Sequence, residues 1–349
     1  MKKDILSLSF EELQGEISAI GAEKFRAGQI FDWLHVKKIT AFSEITNISA
    51  QLRQKLTETF WLNALTIQKK LISKSDNTIK YLYKLHDGES VETVLMKYHH
   101  ADSLCISTQV GCKMNCAFCA SGANGFIRNL TPAEMLLQIY ETERDNKNNA
   151  SAGSTVGSLV LMGIGEPLDN FDNTVKFLQI LSEKNGRNMS LRHVSLSTCG
   201  LADRIDELAE LKLGLTLSIS LHAADDETRS KIMPVNNAFN IERLIDSCKN
   251  YFEKTGRRIS FEYALIKNVN DSVKDAEKLV KLIKPLHAHV NLIPFNYINT
   301  EKNKKSENIK EFQVYLTKAG INATIRRTLG SDINAACGQL RIASQNNNL

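Results

Sequence analysis

The sequence predicts an α/β fold, a partial barrel of about six β/α units preceded by a small helical module and a β-hairpin. Three observations carry this. From Leu104 onward, short strand-like runs alternate with helix-like runs, the pattern of a parallel sheet. Glycine-rich or polar words recur at the C-terminal ends of those runs, where α/β folds bind ligands. Residues 10–60 show helical spacing and no strand alternation.

In order, Glu23–Lys38 places Phe25, Ile30, Trp33 and Leu34 close to a helical period, and Ser49–Phe60 does the same with Leu52, Leu56 and Phe60. This stretch reads as an all-helical accessory domain over 1–62, either a packing appendage or a docking module. Residues 63–98 alternate instead. Ile79–Leu85 and Val91–Met96 flank Asp87-Gly88, a hairpin signal. Residues 99–349 form the expected barrel domain. Strands are expected at Leu104–Thr108, Ser158–Gly163, His193–Ser197, Leu215–Leu221, Arg258–Ile266, His289–Phe295 and Ile321–Arg327. Helices are expected at Thr131–Glu143, Phe171–Ser182, Leu201–Leu211, Ile241–Lys254 and Ile309–Lys318, with Val273–Ile283 continuing the alternation.

With 349 residues and 42% hydrophobic content, the chain can bury one large core and a smaller one. A net charge of +5 permits nucleic-acid binding without requiring it. A Lys-rich loop with Lys302, Lys304 and Lys305 could touch phosphate, though a solvated loop explains it as well. The seven cysteines are an odd number and are not spaced as a secreted disulfide framework. The N-terminus lacks an apolar leader, and no apolar run is long enough to span a bilayer, so a soluble cytoplasmic protein without a membrane partner is expected.

The chemistry concentrates in Gly111–Cys119, where Cys112, Cys116 and Cys119 form a Cys-x3-Cys-x2-Cys run. Three nearby thiolates suit an iron–sulfur cluster with one iron left open to a small molecule. The competing reading is a structural zinc site in a non-catalytic RNA-binding protein, but zinc cysteines tend to come as two separated pairs. Gly163-Ile164-Gly165-Glu166-Pro167, Ser197–Gly200, Ser218–His222 and Pro294-Phe295-Asn296 end successive strands and would meet this loop on one rim. Taken singly, each word is weak. Glu92 reads as a strand carboxylate on a solvated face. Cys337 reads as a buried tail cysteine, and Cys199 and Cys248 as small buried apolar groups.

Together these words resemble the RlmN/Cfr group of radical S-adenosylmethionine (SAM) RNA adenine methyltransferases, as do Gln109–Cys112 and Ala335–Leu340. The likeness runs from about Phe25 to Leu340. It implies a partial (β/α)6 radical SAM barrel, a [4Fe-4S] cluster on Cys112, Cys116 and Cys119, and two SAM molecules per turnover. Gly165, Glu166, Ser197, Ser220, Leu221, His222 and Asn296 match the SAM contacts. Cys337 matches the cysteine that becomes S-methylated, Cys105 the resolving cysteine, and Glu92 the proton acceptor. A disulfide between Cys105 and Cys337 is implied as a catalytic intermediate. The implied partners are 23S rRNA, tRNA and an external flavodoxin-like one-electron reductant, with the enzyme a monomer. The RlmN branch implies methylation at adenine C2 and the Cfr branch at C8. The Gly-Glu-Pro word follows the RlmN form, and Cys199 stands where that branch often has serine.

Overall fold

The computed structural model describes residues 2–98, 101–123, 125–147, 156–286, 288–295 and 305–340. The chain begins with β1 (Lys3–Asp4), α1 (Phe10–Ala19), α2 (Arg26–Asp32), α3 (Ala50–Thr59) and β2 (Phe60–Trp61). Ser9 and Glu12 start α1 with a reciprocal capping box. The helix expected over Glu23–Lys38 is split: α2 runs on into a π-helical turn, Trp33–Lys37, which Lys38 closes at φ +59°. The all-helical expectation also needs correction, because β1 and β2 pair in parallel, Lys3 opposite Phe60. Two-residue strands carry no alternation for a sequence reading to detect.

The hairpin region is larger than two strands. β3 (Thr66–Ile72), β4 (Ile79–Lys84) and β5 (Ser90–Met96) form an antiparallel meander. β5 pairs antiparallel with β6 (Asp102–Cys105), so the meander continues the main sheet. After β6 come β7 (Gln109–Gly111), β8 (Phe126–Asn129) and α4 (Pro132–Lys147). The alternation proceeds through β9 (Val156–Leu161), α5 (Phe171–Ser182), β10 (Val194–Thr198), α6 (Ala202–Glu210) and β11 (Thr216–Ser220). It ends with α7 (Asp226–Ile232), α8 (Ile241–Thr255), β12 (Ser260–Leu265), α9 (Val273–Ile283), β13 (His289–Pro294), α10 (Ile309–Lys318) and β14 (Asn322–Ile325).

The main sheet has the order β14-β13-β12-β11-β10-β9-β6-β5-β4-β3. From β6 to β14 the pairing is parallel throughout. Six of those strands each lead to a helix, giving the six units of a partial barrel, and β14 adds a seventh parallel strand. The helices cover the sheet with one apolar face each; α8 buries Ile241, Leu244, Ile245, Cys248 and Tyr251. One contiguous apolar core extends from Ile5 to Ala323, so the first helices share the barrel's core. Polar contacts reinforce that junction: His35 Nδ1 lies 2.9 Å from the Tyr140 hydroxyl, and Arg144 Nη2 donates to the Lys38 carbonyl at 2.8 Å. No helix among the described residues is long and apolar enough to cross a membrane.

Candidate active site

Because the main-sheet strands from β6 onward run parallel, their C-terminal ends open on one rim. The loop Cys112–Cys119 begins there, after β7. Gly111 sits at φ +77°, and a Cβ would stand 1.9 Å from the Gly125 carbonyl oxygen, so only glycine can enter this loop. Cys112 N–H donates to Gly125 O at 3.1 Å, Cys119 N–H to Cys116 O at 3.1 Å, and Ala117 N–H to Ile232 O at 2.9 Å. Cys112, Cys116 and Cys119 line one cavity of about 160 Å³. Among the described residues, no three His, Cys, Asp or Glu side chains gather closely enough to share a single metal ion. A cluster gives each thiolate its own iron, so the donor set fits it. Burial pushes the Cys112 thiol up to about 12 and Cys116 higher, and the neighbouring Cys119 raises both. The positive charge of iron is what would make these thiolates stable here.

Across the cavity, Gly165 holds φ +105°, where a Cβ would collide with Gln109 at 2.6 Å. Glu166 follows, buried, with its backbone N–H on Gln109 Oε1 at 2.8 Å. Its carboxylate accepts from Cys199 N–H at 2.7 Å and Leu168 N–H at 3.0 Å. Burial nevertheless dominates and raises its pKa. Ser197 and Ser220 end neighbouring strands, with hydroxyls 3.4 Å apart, and both line the cavity. His222 adopts φ +55°, a conformation uncommon for a residue with a side chain. Its Nδ1 accepts from Ala264 N–H at 2.9 Å, and burial lowers its pKa to about 3. The ring is therefore neutral, with its proton on Nε2 as a donor. Phe118 packs edge-on against it, centroids 4.6 Å apart.

Leu221 departs from the set: its side chain is fully buried in the core and it does not line the cavity. Asn296, Lys302 and Lys304 lie outside the described residues, while Lys305 bridges Ile266.

Cys337 lines the same cavity, delivered by a C-terminal segment pinned from two sides. The hairpin holds its start: Gly330 N–H donates to Asp76 Oδ2 at 2.8 Å, and Lys80 Nζ to Asn334 O at 3.0 Å. The cysteine loop holds its end: Ala120 N–H donates to Gly338 O at 2.8 Å, and Ser121 Oγ to Leu340 O at 2.9 Å. Cys105, on β6, is buried in a small apolar cluster with Val94, Ile164, Ala335 and Leu340, and the Cys337 sulfur is near enough to raise its pKa. The disulfide expected between them is absent, since none of the seven cysteines is paired in one. A bond that belongs to a turnover step is not needed to hold the fold. Glu92 is buried rather than solvated, because β5 is an interior strand. It shares a face with Val94, which pairs with Cys105, and it forms an ion pair with Lys80 at 3.0 Å.

Two arginines went unnoticed in the sequence. Arg229, fully buried, donates to the carbonyls of Leu221, Cys199 and Ser220 and to Asn236 Oδ1. It thereby ties together the ends of β10 and β11. Arg326, just after β14, lines the cavity beside Cys337 and faces Glu262 at 3.5 Å. Lone arginines among polar neighbours carry no signal that separates them from solvated ones.

A six-unit partial barrel with three cysteines after its first parallel strand defines the radical SAM class, and residues 106–283 match the radical SAM superfamily model. Residues 3–62 match the ribosomal RNA large subunit methyltransferase N-terminal domain. The chain is 50% identical over 342 residues to a protein of Alkaliphilus oremlandii named "Probable dual-specificity RNA methyltransferase RlmN", covering 97% of this chain and 98% of that one. A Lachnospira eligens protein of the same name is 49% identical over 340 residues, covering 97% and 95%. The crystal structure of a radical SAM methyltransferase from Sphaerobacter thermophilus superposes with a TM-score of 0.91 at 39% identity, covering 97% of this chain and 99% of that one. The chain belongs to the RlmN family.

Proposed function

We propose that this protein is a radical SAM RNA methyltransferase that methylates C2 of an adenosine in 23S rRNA and of the adenosine 3′ of the anticodon in some tRNAs. The observation that carries this reading is the single cavity lined by Cys112, Cys116, Cys119 and Cys337, with Cys105 buried close by.

Cys112, Cys116 and Cys119 hold the [4Fe-4S] cluster. Gly165, Glu166, Ser197, Ser220 and His222 hold SAM, with Leu221 able to contribute only through its backbone. When bound, the cluster and SAM supply the methyl group and the radical that adenine C2 needs, since an electron-poor ring carbon does not attack a sulfonium unaided. Cys337 carries the methyl group as S-methylcysteine. Glu92 accepts the C2 proton once the carbon is linked to Cys337. Cys105 then attacks the Cys337 sulfur and releases the RNA, leaving a transient disulfide. The target base leaves its stack to reach the rim. An external one-electron reductant serves the cluster.

The Gly165-Glu166-Pro167 word favours C2 over C8. The test is anaerobic turnover with isotope-labelled SAM on rRNA and tRNA, followed by mass spectrometry of nucleosides. Label on 2-methyladenosine is expected; label on 8-methyladenosine would overturn the C2 assignment, and unlabelled adenosine the enzyme reading.

A further inference from the structure

Arg326 shares the cavity with Cys337 and touches Met162, which packs on the apolar cluster that holds Cys105. Its backbone N–H donates to Leu292 O at 2.8 Å, fixing it at the end of β14. Its Nη1 contacts Met162 Sδ at 3.4 Å and faces Glu262 Oε2 at 3.5 Å. Met162 packs against the apolar cluster that contains Cys105, and Arg326 lines the cavity with Cys337. Glu262 is buried and is held by Asn291 Nδ2 at 2.9 Å, so it offsets the guanidinium charge that the site buries. The groups acting on the guanidinium are Cys337, Glu262, Cys105 and Tyr98, with Cys337 foremost.

We propose that Arg326 is a positioning residue that stabilises the thiolates of Cys337 and Cys105 in turn. This rests on the methyl-carrier reading above.

A nucleophilic thiol must first lose its proton, and burial opposes that loss. Burial first, and then the nearby Cys337, push Cys105 up to about 12, while Arg326 pulls against them. Two thiolates side by side repel, so one arginine supports one at a time. In the first step the Cys337 S–H proton goes to solvent. The sulfur then takes the methyl group, and the sulfonium sulfur of SAM keeps the electron pair of the broken bond. Cys337 is now an uncharged thioether, and the guanidinium is available to Cys105. In the resolving step Cys105 loses its proton and forms the S–S bond. The Cys337 S–C bond breaks, and its pair goes to the departing carbon, which takes up a proton. A cellular dithiol reduces the disulfide. Arg326 stays charged throughout.

The test is iodoacetamide alkylation of the anaerobic holoenzyme near neutral pH. Peptide mass spectrometry reads Cys105 and unmethylated Cys337 separately. Arg326→Gln is expected to slow alkylation of both thiols roughly tenfold. Arg326→Lys, which keeps the charge, should fall between. Glu262→Gln should speed both, which guards against a glutamine variant that fails to fold. Unchanged rates in either glutamine variant with cluster absorption intact would overturn the proposal. Alkylation needs neither SAM nor RNA, so changed rates in a protein that never methylates RNA would count against the function and not against this role.

Discussion

Lys80 lies 3.0 Å from Glu92 and donates at 3.0 Å to the Asn334 carbonyl, joining the proposed proton acceptor to the segment that delivers Cys337. Both side chains of the ion pair are about nine-tenths buried. Removing one partner leaves the other charge buried, at a cost of roughly 3 kcal/mol. Lys80→Met and Glu92→Gln, singly and combined, should show a coupling of about 1 kcal/mol or more in urea unfolding. Strictly additive effects would mean the pair contributes nothing.

Each of Cys112→Ala, Cys116→Ala and Cys119→Ala is expected to abolish the cluster's visible absorption and RNA methylation together. Three ligands from one loop leave no substitute. Iron and sulfide analysis after anaerobic purification checks this. Retention of four irons in any one variant would remove that cysteine from the ligand set.

Much of the barrel was legible because its strands and helices have apolar periods long enough to read. Phe171–Ser182 and Ile309–Lys318 appear with the expected bounds. The polar words at strand ends were legible for the same reason, since a parallel sheet sends them to one rim. Short or exposed elements were not. α7 has seven residues, mostly polar, and β3 has no fully buried position to create an alternation. β7 and β8 are too brief to carry a period. Arg229, Glu262 and Arg326 stayed hidden because only the tertiary fold decides which charges are buried, and Glu92 looked solvated until β5 proved to be an interior strand.

Arg229→Met should destabilise the fold by roughly 3 kcal/mol or more, since it strips donors from several buried acceptors. It should also weaken SAM binding, because the carbonyls of Cys199 and Ser220 lose their shared anchor. Thermal unfolding and equilibrium binding of SAM to the holoenzyme measure the two effects. Destabilisation with unchanged SAM affinity would confine Arg229 to the fold.

Burial lowers the pKa of His35 to about 3, as it does for His222. A histidine depressed in the folded state contributes stability above the unfolded value of about 6.5, and that contribution is lost as pH falls toward the folded value. Each such group adds a slope of about 1.4 kcal/mol per pH unit below about pH 6. His35→Gln should therefore flatten the acid-side loss of stability by about that slope, as read by urea unfolding between about pH 6 and 5. A wild-type slope in the variant would show that His35 is not held neutral.

The most direct measurement concerns Cys105 and Cys337. Cys105→Ala keeps the methyl carrier and the radical step but lacks the thiol that releases the product. Purified after turnover with RNA, it should run on a denaturing gel as a nuclease-sensitive conjugate. Peptide mass spectrometry should place an adenosine-bearing methylene bridge on Cys337. A Cys105→Ala enzyme that methylates RNA at the wild-type rate and carries no RNA on Cys337 would contradict the account.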